Sequence, residues 1–415
     1  MRIGIFTETW APYISGLVTS EVMLKNALEK LGHTVYVVTA NLQDFKYDYN
    51  EKERILKIPG LPTGIYDSRI TSVYPIKAVK MIKEWDLDVI HSQTEFSIGT
   101  FARVLGKQLD IPIVHTYHTM YEDYVYYITK GHFDGASKKL VEYLTKFYCD
   151  KTIQELIVPT RKTYDLFKEK YKYDRNVHII PTGIEIDRFY KEKITLDRSN
   201  KLKSQLNITT KDTVLLFVGR IASEKNIKFL LDAHVDILKK HKNAKLLIVG
   251  DGPDLEEYKS LAIKYKIQDN VIFTGKVPWD DIPVYYNISD IFVTASYTET
   301  QGLTVVEAMA ASLPVIALDD EAFRNTVIDG LTGELFNNKK EYINKMNSLI
   351  GDIDKITSMG NQGRINSEAY SSKYFAERVL DVYKIALKGR SVKKNKSFFN
   401  RLKNIVKKGF KGEKN

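Results

Sequence analysis

The stretch "TVLLFVGRIASEKNIKFLLDAHVDILKKHKNAKLLIVGDGP", residues 213–253, decides the fold class. An apolar run opens it and predicts a buried strand, while residues 226–240 carry apolar side chains at helical spacing. A second apolar run, 244–249, then ends in a Gly-Pro turn. Strand, helix and strand in this order form a βαβ unit, so we predict an α/β protein with a parallel sheet covered by helices.

The same alternation continues on both sides of this stretch. Strands are predicted at "RIGIFT", "TVYVVTA", "DVIHS", "IPIVHTYH", "ELIVPT" and "VHIIPTG", and later at "NVIFTG", "DIFVTAS" and "LPVIAL". After the first strand, Leu24 and Leu28 mark the apolar face of a helix that stops at Gly32. Because 415 residues exceed what one hydrophobic core supports, we predict two α/β domains with a cleft at the carboxyl ends of their sheets.

The domain boundaries follow from composition. A polar, charged stretch at about 191–204 separates the halves, which gives an N-terminal domain over 1–190 and a C-terminal domain over 191–370. A helix over 371–388 is expected to return toward the N-terminal domain, and a basic amphipathic tail over 389–415 ends the chain.

Charge and cysteine content narrow the function classes. Residues 386–415 hold eleven Lys and Arg and one acid, which accounts for the whole formal charge of +10. The single cysteine, Cys149, excludes an intrachain disulfide and favours a reducing compartment. No apolar run approaches the eighteen residues of a membrane-spanning helix. Neither G-x-G-x-x-G nor the Walker A pattern occurs, so any nucleotide site must be built differently.

Two glutamates stand eight residues apart in "TETQGLTVVEAMA", residues 298–310. Gly302 breaks the chain, and a helix is predicted from Leu303, whose free N–H groups would form an anion site suited to a diphosphate. Glu307 lies one turn into that helix and Glu299 in the loop before it, so one acid could hold a ribose diol and the other a sugar. The alternative is a plain helix with one buried and one surface glutamate.

Four further residues are candidates for the same site. Arg220 and Lys225 follow a buried strand and precede a helix, which suits a phosphate clamp, although solvated loop charges would look the same. Gly16 would let backbone approach a phosphate, or it is an ordinary turn glycine. His118 follows a strand and is either a core histidine or a site residue, whereas His115 is expected to be structural.

Six motifs together carry a family resemblance that covers nearly the whole chain. "TETQGLTVVEAMA" resembles the E-x7-E signature of retaining, nucleotide-sugar-dependent glycosyltransferases of family 4, which have the GT-B fold. "GRIASEKN" is similar to the Arg–Lys phosphate clamp of that family, and "VGDGPD" and "FTGKVP" match two more of its blocks. "APYISGLVTS" resembles the loop near the donor phosphates, and "HTYHT" resembles the block whose second histidine faces the donor sugar.

The resemblance implies a fold and a set of residue roles. The GT-B fold has two Rossmann-like domains with parallel sheets facing across a cleft, the N-terminal one for the acceptor and membrane, the C-terminal one for the nucleotide sugar. The implied catalytic residues are His118, Arg220, Lys225 and Glu299. The implied donor-binding residues are Gly16, Arg220, Lys225, Val277, Glu299, Thr300, Gln301, Gly302, Leu303 and Glu307.

The implied mechanism is electrostatic and needs no bound metal. Arg220, Lys225 and the amides near Gly302 would stabilise the departing diphosphate, while Glu299 holds the hexose and Glu307 the ribose. No tightly bound cofactor is expected: UDP-glucose is the donor substrate, and Mg²⁺ is allowed only as a stimulant without a protein site. Asp86-Leu87-Asp88 spells the metal-binding D-x-D, but it is predicted as a polar turn before a strand.

Two segments predict binding to an anionic membrane surface. The tail forms a basic amphipathic helix pattern, with a nucleic-acid-binding or a disordered solubilising tail as alternatives. Its predicted membrane-binding residues are Phe398, Phe399, Arg401, Leu402, Lys403, Ile405, Lys407, Lys408 and Phe410. The second segment, 68–85, carries Arg69, Lys77, Lys80 and Lys83 beside Ile76, Val79 and Met81, and Pro75 could begin its helix.

These features resemble the bacterial glycolipid synthases of the family, especially the diacylglycerol glucosyltransferases. The resemblance implies glucosyl transfer from UDP-glucose to the 3-hydroxyl of 1,2-diacylglycerol, by a cytoplasmic protein bound peripherally to the inner face of the cell membrane. The expected partners are a nucleotide sugar, a diacylglycerol or glycolipid acceptor and an anionic membrane, with no nucleic acid. The alternatives are another family 4 transferase, acting on glycolipid, polysaccharide or glycoprotein, and a membrane- or nucleic-acid-binding protein on an inactive scaffold.

Overall fold

The computed structural model describes residues 1–13, 16–62, 69–118, 152–297, 299 and 301–389. The chain divides into two compact units. The first unit comprises residues 1–180 together with the segment from Phe375 onward, and the second unit comprises Pro181–Tyr374. Thr300 and the predicted membrane-binding residues of the tail lie outside the described residues.

A nine-stranded sheet forms the centre of the first unit within its described residues. Its strands are β1 (Arg2–Thr7), β2 (Thr34–Asn41), β3 (Asp48–Asn50), β4 (Ile55–Pro62), β5 (Arg69–Thr71), β6 (Val89–Ser92), β7 (Ile113–Thr116), β8 (Glu155–Val158) and β9 (Val177–Ile179). The order is β3-β4-β2-β1-β6-β7-β8-β9, with β5 paired to β4. All pairs are parallel except those that β3 and β5 make with β4.

Helices cover both faces of this sheet because its strands are apolar on both sides. They are α1 (Gly16–Lys30), α2 (Ile76–Glu84), α3 (Ser97–Leu109), α4 (Arg161–Asp165) and a C-terminal helix over 372–389. On one face, Phe6 of β1 packs with Phe101 of α3. On the other face, Ile5 shares a core with Leu28 of α1 and with Tyr383 of the C-terminal helix. The parallel order brings the carboxyl ends of β1, β6 and β7 side by side.

The second unit contains a six-stranded sheet in the order β12-β11-β10-β13-β14-β15, and every pair is parallel. The strands are β10 (Thr213–Val218), β11 (Ala244–Val249), β12 (Val271–Phe273), β13 (Ile291–Thr294), β14 (Val315–Leu318) and β15 (Gly333–Phe336). Its helices are α5 (Leu196–Gln205), α6 (Ile227–Lys240), α7 (Leu255–Lys264), α8 (Ile282–Asn287), α9 (Leu303–Ala310), α10 (Glu321–Arg324), α11 (Lys339–Leu349) and α12 (Ile353–Ser367).

The predicted fold class is confirmed: each unit is an α/β layer structure built on a parallel sheet. The opening stretch is the predicted βαβ unit, formed by β10, α6 and β11. Most of the polar stretch near 191–204 folds as α5 inside the second unit. Thr195 caps this helix by accepting a hydrogen bond from the backbone N–H of Arg198 at 3.4 Å.

Candidate functional site

The loop between β13 and α9 carries the two-glutamate motif, and Gly302 sets its shape. Gly302 has φ = 69°, a left-handed conformation that glycine adopts without strain. A Cβ at this position would lie 2.7 Å from Cε1 of Phe323, so the turn also requires a residue without a side chain. α9 begins immediately after it, as predicted, and Val305, Val306 and Met309 are fully buried. The start of the helix is therefore held rigidly by the core.

Glu307 is a buried acid that accepts a short hydrogen bond from a neighbouring tyrosine. Its side chain is only 5% exposed, and its Oε2 accepts a hydrogen bond from the hydroxyl of Tyr286 at 2.7 Å. Burial raises the pKa of Glu307 to about 7, while the Tyr286 bond and the charge of Arg188 act in the opposite direction. Tyr286 comes from α8 and is itself fully buried. Once it is ionised, this carboxylate can accept hydrogen bonds from the two hydroxyl groups of a diol.

Glu299 forms an ion pair with Lys225, which brings two predicted catalytic residues into direct contact. Both side chains are about one-fifth exposed. Lys225 lies in the short turn Ser223–Lys225 between β10 and α6. This turn is tied to the motif loop, because the backbone N–H of Tyr297 donates to the carbonyl of Glu224 at 3.2 Å. The carboxyl ends of β10 and β13 are neighbours, so the two loops meet by topology.

The remaining candidates of the second unit are placed differently from one another. Arg220 is exposed at the carboxyl end of β10, where it can reach an anion in solvent. The side chain of Gln301 is buried: its Oε1 accepts from the backbone N–H of Thr182 at 2.7 Å, and its Nε2 donates to the carbonyl of the same residue at 2.9 Å. Val277 and Leu303 are half-buried and pack against one apolar core.

In the first unit, His118 lies at the carboxyl end of β7 and is half-buried. Its Nε2 is 2.7 Å from Oε1 of Gln93, and burial lowers the pKa of His118 to about 4. His115 is fully buried and contacts Oε1 of Glu95 at 3.1 Å, as expected for a structural histidine. Gly16 is the exposed first residue of α1, and a Cβ there would meet no atom within 4 Å.

Two acids near these residues, the half-buried Glu8 and the buried Glu21, were not identified from the sequence. Glu8 follows β1, and its Oε1 accepts from the backbone N–H of Ile98 at 2.6 Å. Burial raises the pKa of Glu8 to about 7, and the charge of Glu95 adds to the effect. Glu21 of α1 is buried beside them, and burial likewise raises its pKa. For Glu8 the available signal was an acid directly after a predicted strand, in "RIGIFTE", whereas Glu21 lies inside α1 and has no such signal.

Comparison with known families assigns both halves of the chain. Residues 198–366 match the family "Glycosyl transferases group 1", and residues 14–188 match "Glycosyltransferase Family 4". The chain belongs to glycosyltransferase family 4. The "Alpha-monoglucosyldiacylglycerol synthase" of Streptococcus pneumoniae is 36% identical over 95% of this chain and 88% of its own length. The protein of the same name from Acholeplasma laidlawii is 36% identical over 95% of this chain and 100% of its own length.

Solved structures of glycosyltransferases share the fold. Sucrose-phosphate synthase from Thermosynechococcus elongatus has a TM-score of 0.71 at 21% identity, covering 94% of this chain and 99% of that one. Anabaena HepE in complex with UDP-glucose has a TM-score of 0.70 at 17% identity, covering 92% and 99%. This family 4 enzyme therefore has the predicted GT-B fold.

The predicted membrane-binding segment of this family 4 enzyme forms a surface of mixed character. α2 begins directly after Pro75, and Lys77, Lys80 and Lys83 are exposed on it. Arg69 of β5 donates to the carbonyl of Gly60 at 3.1 Å. Of the apolar residues predicted beside these cations, Ile76 is exposed and Val79 is buried. Three further large apolar side chains are exposed nearby in the sequence and were not predicted as membrane contacts: Leu61, Ile70 and Val73. We call these eight residues the basic–apolar face: Leu61, Arg69, Ile70, Val73, Ile76, Lys77, Lys80 and Lys83.

The D-x-D sequence of this enzyme is engaged by protein groups. Asp86 forms an ion pair with the side chain of Arg2, and Asp88 accepts from the backbone N–H of Arg2 at 2.7 Å. Both acids therefore anchor the start of β1. Across the described parts of the chain, no helix is both long and apolar enough to cross a lipid bilayer.

Proposed function

We propose that this enzyme transfers glucose from UDP-glucose to the 3-hydroxyl of 1,2-diacylglycerol, with retention at the anomeric carbon, at the surface of a membrane. The observation that carries the proposal is the 36% identity, over 95% of the chain, to two proteins named alpha-monoglucosyldiacylglycerol synthase. The ion pair of Glu299 with Lys225 supports it, because an acid for a sugar lies beside a cation for a phosphate.

The second unit takes the donor in this proposal. The start of α9 offers backbone N–H groups to the diphosphate, with Arg220 and Lys225 as cations at the same sheet edge. Glu307 accepts from the ribose, and Glu299 from the hexose. The backbone near Val277 meets the nucleobase, and Gln301 and Leu303 shape the loop around the phosphates.

The reaction exchanges one bond at the anomeric carbon for another on the same face. The bond from this carbon to the β-phosphate oxygen breaks, and the hydroxyl oxygen of the acceptor forms the new bond. The proton of the acceptor hydroxyl passes to the departing phosphate oxygen, so no protein nucleophile is required. Arg220 and Lys225 stabilise the negative charge that develops on the diphosphate. For His118 and Gly16 of the first unit, the family resemblance implies contacts with the donor sugar and with a donor phosphate, respectively.

The first unit takes the acceptor and binds the membrane. Its basic–apolar face combines four cations with four exposed apolar side chains, the composition of interfacial membrane-binding segments. Each cation contributes about 1 kcal/mol near an anionic bilayer, so the four together contribute about 4 kcal/mol. The basic tail adds further attraction, which makes the enzyme a peripheral protein of the inner membrane face.

The test is transfer to diacylglycerol in vesicles containing an anionic lipid. UDP-glucose and UDP-galactose are offered separately, and the product linkage is read by NMR. The expected product is α-glucosyl diacylglycerol, formed from UDP-glucose and carrying its sugar on the 3-hydroxyl. A β-linked product would refute retention, transfer from UDP-galactose alone would refute the donor, and transfer only to a glycosylated lipid would refute the acceptor.

A further inference from the structure

A chain of buried hydrogen bonds leads to His118 from the C-terminal helix. The hydroxyl of Tyr383 lies 2.7 Å from Nδ1 of His91, and the side-chain amide nitrogen of Gln93 lies 3.2 Å from the same atom. The amide oxygen of Gln93 then lies 2.7 Å from Nε2 of His118. Tyr383, His91 and Gln93 are all at least nine-tenths buried, so water does not substitute for these partners.

The directions of these bonds follow from the groups that make them. An amide oxygen only accepts, so Nε2 of His118 must carry a proton and donate to Gln93. The amide nitrogen of Gln93 only donates, so Nδ1 of His91 must be bare and accept. The other nitrogen of His91, Nε2, then carries the proton and donates to Oγ1 of Thr116 at 2.7 Å. With the amide of Gln93 in this orientation, each ring has one tautomer that satisfies its bond to Gln93, and the lone pair of Nδ1 of His91 is shared between the Gln93 amide and the Tyr383 hydroxyl.

We propose that Gln93 is a positioning residue that fixes His118 as its Nε2–H tautomer and leaves Nδ1 as the only acceptor of the ring. The chemical class of donor follows, and this consequence rests on the proposed function, in which His118 faces the donor sugar. A bare ring nitrogen pairs with a hydrogen-bond donor, here the hydroxyl on carbon 6 of a neutral hexose, the carbon at which a hexuronosyl donor carries its carboxylate. A carboxylate presented to the same nitrogen sets two acceptors against each other, so His118 selects neutral hexosyl donors over hexuronosyl donors.

The charges around His118 agree with a neutral ring. Burial is the largest cause of the low pKa of His118, and the nearby His115 lowers it further, whereas the carboxylate of Glu95 raises it. Burial also lowers the pKa of His91, so the ring behind Gln93 stays neutral. Across neutral pH the chain therefore transmits orientation without transferring charge.

The decisive experiment reads the tautomer directly and does not depend on turnover. The full-length protein is labelled with ¹⁵N-histidine, and the spectrum of its eight histidines is recorded by long-range ¹H–¹⁵N NMR from pH 8 to pH 5. His118→Asn assigns the signal. The expected wild-type signal has a protonated Nε2 and a bare Nδ1 that persist across this range. Gln93→Leu is expected to give mixed tautomers, and Tyr383→Phe a smaller change of the same kind.

Gln154→Leu is the matched control, because Gln154 also uses its amide oxygen in the first unit but bonds the backbone of Ile113. Its spectrum at His118 should equal that of the wild type. A wild-type His118 protonated on Nδ1, or a Gln93→Leu spectrum identical to wild type, would overturn the assignment of Gln93. Tyr383→Phe provides the same readout if Gln93→Leu does not fold.

The specificity consequence is measured by donor binding. UDP-glucuronate carries a carboxylate where UDP-glucose carries a hydroxymethyl group. The wild type should bind UDP-glucuronate about tenfold or more weakly than UDP-glucose, because two acceptors that face each other leave one hydrogen bond unmade. Gln93→Leu should reduce this ratio. Equal ratios in both proteins would overturn the selection of neutral donors. If the wild type binds neither UDP-sugar, the proposed function is refuted. The tautomer measurement would still decide the role of Gln93.

Discussion

Replacing Tyr286 by phenylalanine should make donor binding strongly dependent on pH in the neutral range. The Tyr286 hydroxyl stabilises the ionised form of Glu307, whose pKa burial has already raised to about 7. A hydrogen bond to a charged group contributes about 1.5–3 kcal/mol, which equals about one to two pH units at 1.36 kcal/mol each. The Tyr286→Phe change removes that stabilisation, so Glu307 takes up its proton at a correspondingly higher pH.

The sign of the effect on binding follows from the proposed role of Glu307 as a hydrogen-bond acceptor for the ribose diol. Only the ionised carboxylate can accept hydrogen bonds from both hydroxyl groups of the diol. The affinity for the donor therefore falls as the pH falls through the pKa of Glu307. In the wild type, about half of Glu307 is ionised at pH 7. In Tyr286→Phe this fraction drops to between about one-tenth and one-hundredth, so binding at pH 7 weakens about fivefold to fiftyfold. Affinity should recover as pH rises.

Isothermal titration calorimetry with UDP-glucose from pH 6 to pH 9 measures this effect. UDP-glucose is preferable to UDP because both of its phosphates stay ionised over the whole range. The control is Tyr342→Phe, which removes a hydroxyl from another fully buried tyrosine of the second unit. Its binding curve should match the wild type. The reasoning fails if Tyr286→Phe shows the wild-type affinity and pH profile, because Glu307 would then not be the acid that binds the ribose.

Three further changes test the remaining parts of the site and surface. Arg220→Ala should lower kcat at saturating donor by about a hundredfold or more, while Lys228→Ala on the exposed side of α6 should not; an unchanged kcat would remove Arg220 from the transition state. Changing Lys77, Lys80 and Lys83 to glutamine should lower the partition coefficient onto anionic vesicles, measured by flotation, by more than about a hundredfold. The same change at the exposed Lys240, Lys242 and Lys264 should not lower it. Equal recovery of both variants with the vesicles would refute membrane binding by the basic–apolar face. Gly302→Ala should cost at least about 1–2 kcal/mol of stability from its positive φ, before the contact with Phe323, and a thermal unfolding midpoint equal to wild type would contradict this.

The central strands could be predicted from the sequence because parallel strands with helices on both faces are continuous apolar runs. β1 and β10 are buried along nearly their whole length, and both were predicted. β4 was missed because "ILKIPGLP" contains two prolines and a glycine, which normally argue against a strand. It pairs with β2 on one side and with short antiparallel strands on the other, away from the centre of the sheet. Tertiary pairing overrides local propensity there.

Residues at the site were predictable where a motif marks them and not where a distant partner sets their state. Glu299, Glu307 and Lys225 stand in recognisable local patterns. Tyr286 is 21 residues from the acid that it contacts, and Tyr383 is 292 residues from His91, so no local spacing reveals either pair. Gln301 shows the reverse case: its motif position predicts a donor contact, while its side chain holds the backbone of Thr182.

Two kinds of partner hold the charged and titratable groups of this enzyme, and they have different physical consequences. Glu307 and His118 each contact a neutral group, Tyr286 and Gln93, which fixes the orientation of the side chain but leaves its charge free to respond to a ligand. Glu299 instead contacts the cation of Lys225. In the proposed donor complex, a diphosphate bound to Lys225 competes with this ion pair, which frees Glu299 to accept hydrogen bonds from the hydroxyl groups of the hexose. The phosphate and the sugar of one donor molecule thus satisfy the two members of a single pair, and a donor lacking either part leaves one charge without its new partner.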